Sequence, residues 1–130
     1  MTTELKVTKV IIAGSRDFTD YTFLKKMVDK LYKNETIEIV SGGATGADAL
    51  GERYAREKGY TIKRFPADWE VHGKAAGPIR NRQMAIYGDH LIAFPLGFSK
   101  GTSNMIKEAG KLGLLRHIFD ATLEGVTNDY

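Results

Sequence analysis

Cysteine is absent from the 130-residue chain, which excludes disulfides and thiolate-held metal sites. Histidine occurs three times, with no spacing that would gather a metal. No apolar run approaches the roughly 20 residues that a membrane-crossing helix needs. The first ten residues, MTTELKVTKV, lack the apolar core of a signal peptide. A cytoplasmic protein with no membrane partner is therefore expected. The most informative absence is local. Between Glu70 and Asp89 there is no acidic residue, yet Lys74, Arg80 and Arg82 fall inside that interval. Their charge equals the net charge of the whole chain, +3. The segment HGKAAGPIRNRQM (72–84) is otherwise built of small residues, and Pro78 sits where a helix can begin. Positive side chains at a helix start are unfavourable unless an anion joins them.

What is present is ordinary for a packed domain. Hydrophobic residues make up 42% and charged residues 27%, enough for one core without staples. One domain over residues 1–120 and a polar tail over 121–130 are expected. Strand and helix signals alternate. The β-branched run KVIIAG, ending at Gly14, reads as a buried strand. Leu24, Met27, Val28 and Leu31 follow at helical spacing, with Thr19 or Asp20 available as cap. TIEIV (36–40) is a second strand. A second helix follows, its inner face formed by Ala47, Leu50, Gly51 and Tyr54 and its end marked by Gly59. TIKRF (61–65) is a more polar edge strand. A third helix is expected from Pro78 to Tyr87, HLIAF (90–94) as a fourth strand, and a helix from Thr102 that ends at Gly113. LLRHIF (114–119) supplies a fifth strand. This alternation predicts an α/β, Rossmann-like three-layer sandwich with a mainly parallel five-stranded sheet in the order 3-2-1-4-5.

In such sheets ligands bind beyond the carboxyl ends of the strands, where the winding reverses. The unusual residues all fall in the strand-to-helix loops. Gly14, Ser15, Arg16 and Asp17 follow the first strand. Ser41, Gly42, Gly43, Thr45, Gly46 and Asp48 follow the second. Trp69, His72, Lys74, Arg80 and Asn81 follow the third, and Pro95, Gly97, Gly101 and Thr102 the fourth. SGGATG and GFSKGTSN combine glycines with hydroxyl donors ahead of a helix, an arrangement suited to anions. Glycine-rich turns also serve simply to join strands to helices. Neither loop fits GxxxxGK[ST], so magnesium-dependent triphosphate hydrolysis is not indicated, and neither fits GxGxxG.

These stretches together resemble the YspA-like branch of the SLOG superfamily. GSRDF, SGGATGADALGERYA, FPADWEVHGKAAGPIRNRQM and LIAFPLGFSKGTSNM carry the resemblance, which extends over roughly residues 7–119. The superfamily includes the Lonely Guy phosphoribohydrolases, the DNA-processing protein DprA and molybdenum-cofactor carrier proteins. The resemblance implies a Rossmann-like fold, a nucleotide or nucleotide-derived ligand, and a homo-oligomer. Lonely Guy enzymes carry PGGxGTxxE. Here the matching positions are Pro95, Leu96, Gly97, Gly101, Thr102 and Met105, so the catalytic glutamate position holds methionine and the loop is longer. RNRQM resembles their RKxxM segment, which makes Arg80 the equivalent arginine and Asn81 a departure. Glu108, one turn beyond Met105, is the substitute carboxylate to consider.

Several candidates have a plain alternative role. Asp48 can favour a helix dipole or recognise ribose or base. Asp17 can cap, pair with Arg16 or face a ligand. Trp69 can cover a base or pack. His90 and His117 fall on strands and are read as structural. The function expected is a binding protein for a phosphate-bearing nucleoside or an NAD- or ADP-ribose-derived ligand, acting as a sensor or sequestering protein. A phosphoribohydrolase-like enzyme, with Arg80 and Glu108 as its candidates, is the alternative. A single local basic cluster argues against a nucleic-acid partner, which would call for an extended basic, aromatic-laced surface. No cofactor is expected.

Overall fold

The computed structural model describes residues 6–120 and the backbone of residues 128 and 129. Five parallel strands, β1 (Thr8–Gly14), β2 (Ile37–Ser41), β3 (Ile62–Arg64), β4 (His90–Phe94) and β5 (Leu115–Ile118), lie in the order 3-2-1-4-5. The predicted order is the observed one. Among the described residues five helices are interleaved: α1 (Tyr21–Leu31), α2 (Ala47–Lys58), the single turn α3 (Trp69–His72), α4 (Ala76–Tyr87) and α5 (Lys100–Lys111). The chain winds outward from β1 through β2 to β3, then returns across the sheet to place β4 against the other side of β1.

The strand sequence explains the layering. Side chains alternate between the two faces of a strand. In β1, Val10 and Ile12 join one core cluster with Leu24 and Val28 of α1 and Ala47 and Tyr54 of α2. Ile11 and Ala13 join a second cluster with Met84 and Ala85 of α4 and Met105 and Ala109 of α5. Both faces of the central strand are covered, which is why KVIIAG reads as a continuous apolar run. Helix α2 lies close on β1, because Gly51 has no Cβ to meet Ile12, whose own Cβ lies 2.9 Å from that position. The buried face of α2 holds the expected Ala47, Gly51 and Tyr54, with Leu50 half-buried beside them. It also holds two acids, Asp48 and Glu52.

One open alternative is decided and several local expectations change. Asp20, rather than Thr19, caps α1, its carboxylate accepting from the Phe23 N–H at 3.0 Å. Residues 67–77 do not form an open loop. Asp68 caps α3 by accepting from the Val71 N–H, and a 3-10 turn over Gly73–Ala75 leads straight into α4. Helix α4 therefore starts at Ala76 instead of Pro78, a position proline tolerates because the first turn has no intrahelical use for its N–H groups. Helix α5 starts at Lys100, and its cap is Ser99, whose hydroxyl accepts from the Thr102 N–H at 3.4 Å; Thr102 lies inside the helix. A sixth strand, β6 (Asn128–Asp129), pairs antiparallel with β5. The rest of the expected tail lies outside the described residues.

Candidate functional site

Ser15, immediately after β1, ties three elements together. Its N–H donates to the Phe94 carbonyl at the end of β4 (3.1 Å), and its carbonyl accepts from Ala47 at the start of α2 (3.1 Å) and from Phe18 (3.2 Å). Its hydroxyl accepts from the Asp17 N–H at 3.1 Å. This closeness requires glycine at two neighbouring positions. A Cβ on Gly14 would collide with the Phe94 carbonyl. One on Gly46, where φ is +74°, would collide with the Ser15 carbonyl. The loops after β1, β2 and β4 are thus joined main chain to main chain.

Arg80 anchors the next layer. Its guanidinium donates to the Gly42 carbonyl at 2.6 Å and to the Phe65 carbonyl at 3.4 Å, and its Nε donates to Asn81 Oδ1 at 3.0 Å. Gly42 leaves the room for this: an added Cβ would lie 2.5 Å from Arg80 Nη1 and 2.8 Å from Asp48 Oδ2. Asn81 is buried and donates to the Gly101 carbonyl (3.2 Å) and to Asn104 Oδ1 (3.0 Å), fastening α4 to the start of α5. Arg80 is the fifth residue of α4, so it does not stand among the free N–H groups of a first turn. Its position comes from the 3-10 turn that starts the helix early.

Two cavities open at this carboxyl edge. The larger, about 830 Å³, is bordered by Gly14, Ser15, Arg16, Asp17, Asp48, Trp69, Lys74, Arg80, Asn81, Gly101 and Thr102 from the sequence-derived set. The second, about 700 Å³, takes in Gly42, Gly43 and Thr45, and shares Arg16, Ala44, Trp69 and Arg80 with the first. Five expected residues border neither. Ser41 is fully buried and donates to Glu52 at 2.7 Å, so its hydroxyl is not a loop donor facing outward. Gly46 packs on Ser15. His72 is exposed at the end of α3. Pro95 is buried, and Gly97 forms an exposed turn with φ of +65°. Of the glycines expected to let a ligand approach, Gly42 and Gly46 instead admit other parts of the chain, while Gly43 faces open space.

The carboxylates divide in the same way. Met105 borders the larger cavity where the Lonely Guy pattern has glutamate. Glu108 borders neither cavity and pairs with Arg82 and Lys111, each at 3.5 Å. Residues that the sequence did not single out also contribute. Glu52 and Arg64 form an ion pair at the second cavity, and Phe98 and Asn104 border the first, beside Lys100 of the GFSKGTSN loop. Glu52 could have been found from its i+4 spacing to Asp48, which puts both acids on one helix face. Phe98 gave no signal, because a single aromatic in a loop has no period.

The charge on the walls is unequal. Arg16, Lys74, Arg80 and Lys100 line the larger cavity against two carboxylates, Asp17 and Asp48. Among the described residues Arg16, Lys74 and Lys100 enter no ion pair, and Arg16 does not pair with Asp17. Burial raises the Asp48 pKa, against the opposing pull of the Ala44 N–H and of Arg80. Burial lowers that of Arg80, which Asp48 partly offsets. Glu52 goes the other way, its pKa lowered chiefly by the hydrogen bonds from Arg64, with Ser41 adding to them. The remaining histidines lie elsewhere. His90 begins β4, at the opposite edge, with its Nδ1 2.7 Å from the Tyr32 hydroxyl.

A Rossmann-like sheet whose loops meet in a cation-rich cavity at the point of winding reversal defines a nucleotide-related binding fold. Residues 8–72 match the family of YspA, cpYpsA-related SLOG proteins. The chain is also 40% identical over 114 residues to the Gene 61 protein of Mycobacterium phage D29, spanning 82% of this chain and 91% of that one. It belongs to that SLOG family. Among solved structures, DNA processing protein A (DprA) of Streptococcus pneumoniae superposes with a TM-score of 0.73 at 20% identity, covering 92% of this chain. The chain spans about half the length of DprA, 52%, and the likeness is one of fold. Among the described residues no helix is long and apolar enough to cross a membrane.

Proposed function

We propose that the protein binds a phosphate-bearing nucleoside or an NAD- or ADP-ribose-derived ligand in the larger carboxyl-edge cavity, as a sensor or sequestering protein. The observation that carries this reading is the set of cations there without carboxylate partners. Arg16, Lys74 and Lys100 border one cavity from three separate segments, and none is in an ion pair among the described residues. Like charges brought together without counter-ions repel, and an anion relieves that repulsion. The helix start at Lys100–Thr102 favours negative charge at the same place. Trp69 is 53% exposed and Phe98 82% exposed, and both border the cavity as aromatic side chains on which a base can stack.

Glycosidic cleavage is the weaker reading, because Met105 can neither activate water nor stabilise an oxocarbenium-like state. Titration calorimetry against nucleoside monophosphates, ADP-ribose, NAD and cyclic dinucleotides tests the proposal, alongside mass spectrometry of molecules released from the purified protein. At least one of these ligands is expected to bind. No heat with any of them and no copurified nucleotide would overturn the reading.

A further inference from the structure

We propose that the ligand is two-headed, a dinucleotide-like molecule bridged by a pyrophosphate, with one half in each of the two adjoining cavities. This rests on the nucleotide reading above and narrows it. Pockets for small ligands span roughly 300–1,000 Å³, so either cavity alone, about 830 or about 700 Å³, has room for one nucleoside half. The two are not independent, since Arg16, Ala44, Trp69 and Arg80 border both. The shared border therefore includes two arginines and a half-exposed tryptophan. A pyrophosphate bridge presents two adjacent negative charges, and two arginines are matched to it in charge; Arg80 would donate through Nη2, its Nε and Nη1 being engaged by Asn81, Gly42 and Phe65. A single terminal phosphate would use the shared border only partly.

The walls away from the shared border differ. The first cavity continues onto Leu96 and the exposed Phe98, an apolar surface suited to a base. The second continues onto Thr45, Glu52 and Arg64, a polar surface suited to ribose hydroxyls.

The test uses the full chain, with NAD and ADP-ribose as two-headed probes and AMP as a one-headed probe. Ala49 is exposed and borders only the second cavity, so Ala49→Trp fills that cavity from the surface. The two-headed probes are expected to bind at least tenfold more tightly than AMP. Ala49→Trp should remove that advantage while leaving AMP affinity unchanged. Ala67→Phe, at another residue that borders the second cavity and not the first, provides the same test should the tryptophan disturb folding. Equal affinity for AMP and both two-headed probes, or undiminished two-headed binding in the filled variants, would overturn the inference and leave the nucleotide reading standing. Failure of all three probes to bind would overturn the inference; the reading itself would fall only if the monophosphate and cyclic-dinucleotide titrations and the search for a copurified ligand also came up empty.

Discussion

Arg80 donates to two main-chain carbonyls, whereas the side chain of Arg16 is exposed and pairs with no carboxylate among the described residues. The two arginines border the same cavities, so substituting each separates binding from stability. Arg16→Ala should lower ligand affinity about ten- to a hundredfold, the worth of a charge-assisted contact of roughly 1.5–3 kcal/mol, and leave the thermal midpoint unchanged. Arg80→Ala should lower both, because the buried Gly42 carbonyl loses its donor at a cost of about 1–3 kcal/mol. Thermal unfolding and calorimetry on the same two proteins check this, and normal binding by Arg16→Ala would remove Arg16 from the site. Asp48 adds a pH dependence. Its folded pKa is raised above the ordinary value of 3.8 by burial. The folded state then holds the proton more tightly than the unfolded chain does, so stability falls as pH rises from about 3.8 through the folded pKa. Asp48→Asn can still accept from the Ala44 N–H, and is expected to raise the thermal midpoint at neutral pH and to flatten the decline that begins near pH 3.8. A lower midpoint at pH 7 would show that the pairing with Arg80 outweighs the burial. None of this was legible from spacing: the sequence put arginine and aspartate in neighbouring loops, but burial depends on how α2 and α4 meet.

At the scale of elements, the loops after β1 and β2 are held by contacts between backbones. Gly46 has φ of +74° and no room for a side chain beside Ser15. Gly46→Ala therefore combines a strained conformation with a backbone clash and should destabilise the fold by more than the roughly 1 kcal/mol of an ordinary glycine-to-alanine misfit. Denaturant unfolding measures it, and a change within 0.5 kcal/mol would mean the two loops can separate. The sequence showed where these loops lie, since β-branched runs and glycine punctuation mark strand ends well. It did not show what the glycines are for. A glycine that admits a ligand and one that admits another strand's carbonyl look identical in one dimension. The start of α4 was hidden for a related reason. Pro78 signals a helix start, but the weak helix formers His72, Gly73 and Gly77 mask the turns before it. Their helical path follows from the Asp68 cap and from packing, with the Trp69 ring 3.5 Å from where a Gly77 Cβ would be.

For the whole molecule, strand order was the most legible feature. Five strand signals separated by helix-sized intervals leave few right-handed parallel arrangements, and β1 reads as central because both of its faces are apolar. Charge distribution was legible only in part. The acid-free interval from Val71 to Gly88 drew attention to Arg80 and Lys74, and the loops after β1 and β4 offered Arg16 and Lys100, yet nothing in one dimension showed that all four cations border one cavity. The main-chain joints at Ser15 have a consequence for the kinetics of binding. Because β1, β4 and α2 meet through backbone hydrogen bonds, the floor of the cavity is assembled as the protein folds, before any ligand arrives. The entropy that a mobile phosphate loop would lose at each encounter has already been lost. Association then resembles docking onto a fixed surface, in a single step whose speed follows ligand concentration and long-range attraction to the cations at the rim, and discrimination between ligands falls to how quickly each one leaves.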